Sequence, residues 1–410
     1  MNTKISIPSS GKIRFSPETA DTIKLIVTGD LCPIESAEQK LAKGNAVGVF
    51  GDLLGELADK DLAITNLELA LTEGGEPIYK AGPNLRATPA VLSGINKAGF
   101  DVYALANNHS RDFGDAALVE TIDHIKAVGK EYVGAGVNIA DARKSLSLEV
   151  KEQKVCILNI CMHNDCDATR TTPGVNVLNP PRNVVEIMQA KKEHDYVIVI
   201  VHDGKEHNPF PSPRMIENYR AFIDAGASAV IGHHPHIPQG FEYYNDGLIA
   251  YSLGNFLFPP RAGTKEHTPE FWYTAYSVRL HLAAGKVCAL DIIPHTLDKE
   301  SYCLSVLQGD ARNSFFQKLS GLNALLLDDE KNEIYFRSRS RYFHENYDLT
   351  IKNYSNAIKN LDADDPEFKR AAHRFEHHVV VEEHFDTISV IANERFAGNC
   401  PDPDDVEKYI

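Results

Sequence analysis

The chain has 410 residues, 43% of them hydrophobic and 24% charged, a composition that suits a soluble globular protein with a large core and an appendage. Its formal net charge of −15 at pH 7 argues against general attraction to nucleic acid or anionic membrane, although metal ions could still draw an anionic substrate locally. No stretch has the apolar length of a membrane span, residues 1–21 lack a signal-peptide pattern, and seven scattered cysteines read as free thiols, so a cytoplasmic location is expected.

Residues 1–21 read as a loose arm. The β-branched run Ile23 to Thr28 ends at Gly29-Asp30, which either presents a carboxylate past a strand or is an ordinary turn pair. Helical patterning follows from Ile34 to about Asp59. A second buried-type strand, Leu62 to Thr65, ends at Asn66-Leu67-Glu68, where Asn66 and Glu68 project together or Asn66 caps a helix. Thr72 to Pro89 is a Gly- and Pro-rich loop carrying Lys80 and Arg86, long enough to be functional. After a helix over Pro89 to Ala98, a third strand near Asp101 to Leu105 runs into Ala106-Asn107-Asn108-His109-Ser110. Asp112 and Gly114 follow, before an amphipathic helix from Asp115 to Val128.

Tyr132 to Gly136 reads as a short strand and turn, and Leu146 to Val150 with Val155 to Ile160 as a hairpin. Cys156, Cys161 and Cys166 match no zinc spacing and read as buried thiols. The polar loop Cys161 to Asn179, with His163, Asn164, Asp165, Arg170 and Thr172, is a candidate substrate-facing segment. A helix, Pro181 to Glu193, precedes the strand Tyr196 to Val201, which ends at His202-Asp203-Gly204-Lys205-Glu206-His207. The helix Pro213 to Ala225 then leads through a short strand to Gly232-His233-His234-Pro235-His236. In extended backbone His234 and His236 point the same way and His233 the opposite way.

Asn245-Asp246-Gly247 marks a hairpin turn, and its second strand leads to Ser252-Leu253-Gly254-Asn255-Phe256. Phe271 to Leu282 and Gly285 to Pro294 alternate like a two-stranded antiparallel edge. Beyond residue 300 helical patterning covers Asn313 to Leu327 and Pro366 to Phe396. Asp362 to Pro366 resembles a solvated linker, and His373, His377 and His378 read as an exposed helix face. The rings of Phe315, Phe316, Tyr335, Phe336, Tyr342 and Phe343 are too many to leave in water. The segment 301–410 is therefore expected to be a lid or interface, and an oligomer is possible.

Five strands thus end in potential ligands: Asp30, Asn66 with Glu68, Asn108 with His109, His202, and His234 with His236. Mixed carboxylate, amide and imidazole donors are what a two-metal hydrolytic site uses, with Mn, Zn or Fe as candidates. His109, beside the ligand Asn108, would stand one layer out and protonate a leaving group. At these residues, and at Gly134-Ala135-Gly136, Asn138, Ala142-Arg143, Gly204 and Tyr251 to Phe256, residues 23–258 resemble the CapA-type capsule or poly-gamma-glutamate synthesis proteins. Their domain is similar to a calcineurin-like metallophosphoesterase.

The resemblance implies an α/β fold in which two mixed β-sheets form a sandwich flanked by helices, spanning residues 22–300, with a mainly helical C-terminal extension. It implies Asp30, Glu68, Asn108, His202, His234 and His236 as ligands of two divalent metal ions. His109 and Asp112 are expected as catalytic residues, and Asn66, Arg86, Glu206, His233 and Asn255 as substrate contacts. Lys80, Arg86, Arg170 and Lys205 form a candidate rim for carboxylates or phosphates. Two departures stand out: Asp203 occupies a position usually aromatic in the family, placing an extra carboxylate near the site, and the membrane anchor or export signal common among capsule members is missing. The expected activity is metal-dependent hydrolysis of a phosphoester or gamma-glutamyl amide in a small or polymeric anionic substrate. The alternative is a non-catalytic component of a polymer-synthesis complex.

Overall fold

The computed structural model describes residues 5–80, 82–397, 403 and 405–410. Ile23–Leu31 is the axis of a nine-stranded sheet. Leu62–Leu67, Val102–Ala104 and Glu131–Val133 extend it in parallel on one side. Thr274–Ala283 and Lys286–Leu297 extend it antiparallel on the other. A second, six-stranded sheet has a parallel centre of Gln153–Cys161, Tyr196–His202, Ala229–His233 and Gly247–Ala250, with an antiparallel strand at either edge.

The parallel strands are apolar on both faces because both faces are covered. Leu25, Val27, Ile64 and Val102 of the first sheet meet Ile157, Ile198, Ile200 and Ile231 of the second in one core. Helices close the outer faces: Leu41, Leu53, Leu92 and Leu118 pack on the larger sheet, and Ile187, Met215, Tyr219 and Phe222 on the smaller. The expected sandwich is therefore present, and its parallel strands finish at one common edge. There Asp30 is in register with Asn66, and His202 with His233.

Two glycines tie the sheets together at that edge. A Cβ on Gly29 would lie 2.0 Å from the Gly254 carbonyl oxygen, and one on Gly232 would lie 1.9 Å from that of Tyr251. Only a residue without a side chain lets the segment that ends in Asn255 cross so closely.

Several elements differ from expectation. Lys12–Arg14 is an edge strand paired with Lys286–Leu297, so the arm is anchored rather than loose. The span after Ile34 is three helices, Glu35–Ala42, Val47–Phe50 and Leu53–Ala58, interrupted near Gly44 and Gly51. The pair Thr274–Ala283 and Lys286–Leu297 is interior, because the first strand bonds to Ile23–Leu31. Past residue 300 the described residues form five α-helices rather than two, Asp329–Ser340 and His344–Asn360 being the unexpected ones. Phe315 and Phe316 enter the sandwich core, while Tyr335 and Phe336 pack with Phe210, Leu322 and Tyr409. Two of the expected buried rings differ: Tyr342 is 61% exposed and Phe343 is half-buried.

Candidate metal centre

Strand ends from both sheets deliver the candidate ligands to one buried cluster. Asp30, Glu68, His202, His234 and His236 are each at most 4% exposed. Ligand atoms of Glu68, His202 and His234 lie within 4.8 Å of one another, as do those of Asp30, Glu68 and His236, and those of Glu206, His234 and His236. Glu68 is common to two of these groups, and its Oε1 stands 3.5 Å from His202 Nε2 and 3.8 Å from His236 Nε2. Both Glu68 oxygens are buried without a hydrogen-bond partner. A buried carboxylate left in that state is costly unless a cation or a proton meets it. The donor set and this orphaned carboxylate together fit divalent cations.

His234 and His236 converge by a route that alternation does not foresee. The strand stops at His233, and the backbone turns left-handed at His234 (φ 99°) and His236 (φ 56°). Such conformations are uncommon for non-glycine residues, cost about 1–3 kcal/mol each, and cluster at functional sites. His233, expected as a substrate contact, places its Nε2 2.9 Å from the Thr28 carbonyl oxygen and so links the two sheets.

The surrounding polar groups set orientation. Asn66 Nδ2 donates to Asp30 Oδ1 at 2.8 Å and lies 3.3 Å from His202 Nδ1. Asn107 Nδ2 donates to Asn66 Oδ1 and to the Leu67 carbonyl oxygen. Asn255 Oδ1 is 2.9 Å from His236 Nδ1. Asn66 and Asn255, expected as substrate contacts, thus orient side chains of the candidate ligand cluster. Asn108 turns its Oδ1 to within 3.0 Å of His202 Nε2, on the side where the ligands gather. Glu206, also expected to touch substrate, belongs among the candidate ligands.

Electrostatics separates the two central carboxylates. Burial opposes charge on Asp30, but the His236 hydrogen bond and the neighbouring His233 and His202 outweigh it, holding Asp30 below the ordinary range. Glu68 is pushed well above that range, first by burial and then by the charges of Asp30 and Glu206. Burial and His234 push His202 down, which keeps its imidazole neutral and able to ligate.

Beside this cluster lies a buried triad. Asp112 Oδ2 is 2.6 Å from His109 Nδ1 and accepts from the Leu85 amide, while Oδ1 accepts from Lys80 Nζ at 2.6 Å. Lys80 also donates to the Asn108 carbonyl oxygen at 2.6 Å. Burial and the Lys80 charge outweigh Asp112 and push the His109 imidazole down to about 4. Lys80, read as a rim residue, is thus built into the triad.

Other expected rim positions stand apart. Arg86 donates to the Gly74 carbonyl oxygen and covers the Phe113 ring, so it does not reach the site. Arg170 is exposed on its loop, and Lys205 places its ammonium 4.7 Å from the centre of the Phe343 ring. The extra carboxylate of Asp203 is buried and bound by both terminal nitrogens of Arg214, at 3.1 and 3.2 Å. Arg86 and Asp203 depart from expectation for one reason: each takes a partner that its tertiary neighbours offer.

A cavity of about 340 Å³ opens over the cluster, lined by Asn108, His109, Glu206 and His234 below and by Arg374, His377, His378 and His384 above. The upper residues come from Pro366–Val380 and Glu382–Ala397. His377 and His378, expected on a solvated helix face, thus roof the site, and Asp165 binds His373 at 3.2 Å and faces His377 at 3.6 Å. Their only sequence signal was the crowding of histidine and arginine on one helix. The substrate-facing loop contributes Met162, Asn164 and Asp165 to the cavity.

The profile described as "Bacterial capsule synthesis protein PGA_cap" matches residues 24–260. The chain belongs to that family. A capsule biosynthesis protein CapA from Bacillus anthracis is 31% identical over 291 residues, covering 68% of this chain and 69% of the relative. A PGA biosynthesis protein CapA from Bacillus subtilis (strain 168) is 37% identical over 175 residues, 41% of this chain and 44% of the relative. A solved 5'-nucleotidase precursor from Thermus thermophilus aligns over 75% of this chain and 59% of its own at 14% identity, with a TM-score of 0.39. That last likeness is too distant to bear on the assignment. This PGA_cap member carries its roof helices beyond the matched residues.

Proposed function

We propose that this PGA_cap protein is a metal-dependent hydrolase of an anionic substrate, cleaving a phosphoester or a gamma-glutamyl-type amide. Asp30, Glu68, Asn108, His202, His234 and His236, with Glu206, would hold two divalent cations. When bound, such ions polarise the scissile bond and acidify water. The observation that carries the reading is Glu68, whose two buried oxygens have no partner while it belongs to two of the three ligand groups.

The chain's own residues supply the proton handling. Asp112 accepts the Nδ1 proton of His109 and leaves Nε2 as the free nitrogen toward the cavity that His109 lines. The neighbouring His109 and Lys80 hold Asp112 ionised against its burial, and burial together with the Lys80 charge keeps the resting imidazole neutral. His109 therefore begins as an acceptor. It can serve as an acid only after an anionic substrate has raised its proton affinity. The working location in this reading is the cytoplasm, on the scattered thiols.

A second reading, a non-catalytic component of a polymer-synthesis complex, is favoured by the relatives' names, which speak of biosynthesis rather than hydrolysis. Metal analysis of the purified protein, with turnover assays on a generic phosphodiester and a gamma-glutamyl peptide, separates the two. Metal with turnover that His109→Ala abolishes supports the hydrolase. Bound metal with no turnover on either substrate supports the second reading.

A further inference from the structure

A second hollow, of about 270 Å³, opens onto the candidate metal centre beside the roofed cavity. The two share Pro83, His109 and Glu206. His234 lines the first and His236 the second, so the ligand cluster is reached from both. Their linings differ in kind. Lys80, Asp165 and Arg374 bring charge to the first. In the second, histidines aside, the charged side chains among the described residues are Glu206, which it shares with the first, and the exposed Arg261.

Rings wall this second hollow. Phe258 and Trp272 meet edge to face at 5.1 Å between centres, and they pack against the His236 imidazole at 4.9 and 4.8 Å. Pro259, Pro260 and Pro269 add to the apolar lining. Two hydrogen bonds fix Trp272: its Nε1 donates to the Phe258 carbonyl oxygen at 2.6 Å, and its carbonyl oxygen accepts from Asn255 Nδ2 at 3.2 Å. Asn255 also turns its Oδ1 to His236, so one amide sets the aromatic wall against a candidate ligand. With its N–H already bonded, the half-buried indole presents ring surface to an occupant. Trp272 and Pro269 lie beyond the residues that match the family profile.

We infer that this hollow is a subsite for a planar aromatic group of the substrate, which places the scissile bond between a ring on this side and a polar portion under the roof. A dry cavity of about 150 Å³ holds benzene, so 270 Å³ accommodates one ring or two fused ones. Walls that meet edge to face favour a ring over an alkyl chain, because a flat occupant can lie offset over one wall and edge-on to the other. The sparse charge of the lining disfavours an ionic group, which would lose its water there without gaining a partner. This inference deepens the proposed hydrolase reading and rests on it for the position of the scissile bond.

The test is binding rather than turnover. Trp272 is the chain's single tryptophan, so its emission reports on this hollow alone. The full-length protein is titrated with phenylphosphonate, n-butylphosphonate and methylphosphonate, followed by fluorescence and by calorimetry. A phosphonate resembles both a phosphoester and the tetrahedral intermediate of amide cleavage, so the choice of scissile bond does not bias the result. Phenylphosphonate should bind about tenfold more tightly than n-butylphosphonate and change the Trp272 emission, while methylphosphonate leaves the emission as it was. By calorimetry Trp272→Ala should lose about tenfold of phenylphosphonate affinity with methylphosphonate unchanged. Thr264→Phe, which adds bulk to the lining from its loop, should weaken the phenyl ligand in the same way and guards against a folding defect in the tryptophan variant. Phenylphosphonate that fails to bind, binds no more tightly than the butyl ligand, leaves Trp272 emission unchanged, or binds both variants as it binds wild type overturns the inference. Turnover on the phosphodiester or the gamma-glutamyl peptide alongside any of those results leaves the hydrolase reading standing without the subsite. Ring-selective, Trp272-dependent binding by a protein without metal or turnover does the reverse.

Discussion

Glu68→Gln keeps side-chain volume while removing a charge that the metal-free protein has nowhere to place. Both carboxylate oxygens are buried and unpartnered, and burial, Asp30 and Glu206 raise the proton affinity of the group. A carboxyl with a raised folded pKa contributes fully to stability below its ordinary value near 4.5 and loses that contribution as pH climbs through the folded value. In that window the penalty changes the folding equilibrium by about tenfold per pH unit. Its ceiling is about 1–3 kcal/mol, the cost of a buried polar group without a partner. Chemical denaturation of chelator-treated protein should therefore find Glu68→Gln equal to wild type near pH 4 and more stable at pH 8. Metal should reverse the order, because wild type gains binding energy that the variant lacks. A metal-free variant less stable than metal-free wild type at pH 8, or one with wild-type metal content, would refute the assignment of Glu68 as the shared ligand.

Asp30→Ala and His234→Ala should each lose most bound metal, whereas His109→Ala should keep it and lose turnover; metal analysis of the three proteins tests the set. Lys80→Met removes the charge that depresses His109, so the imidazole titration, followed by NMR, should move up from about 4; an unmoved titration would place the cause elsewhere. Asp112 behaves oppositely to Glu68. Its folded pKa lies below the ordinary 3.8, so its contribution is present above that pH and lost below it, and Asp112→Asn should flatten acid unfolding there. Arg214→Ala strands the buried Asp203 and cuts the tie to Asp386, which should cost about 3–5 kcal/mol; limited proteolysis should then cut first in Glu382–Ala397. Truncation after residue 300 should expose the Phe210 surface that Tyr335, Phe336 and Tyr409 cover, read as raised binding of an apolar dye.

Sequence alone determined the strands and most of the polar groups at their ends. A buried parallel strand is a continuous apolar run, and the polar residue that stops it must sit at the sheet edge. Asp30, Glu68, Asn108, His202, His234 and His236 were therefore legible as candidates, and the sandwich was legible through the family resemblance. What the sequence could not decide was direction and partnership. Asn66 and Asn255 hydrogen-bond to side chains of the candidate cluster, and His233 points to the Thr28 carbonyl oxygen. Arg86, Lys80 and Asp203 each found a partner far off in sequence or in another loop. The roof was invisible for the same reason. Whether His377 and Arg374 face water or a cavity depends on where helix Pro366–Val380 packs, and that packing is fixed by contacts across the whole chain. Local pattern records what one segment can bury; only the tertiary arrangement decides what meets it.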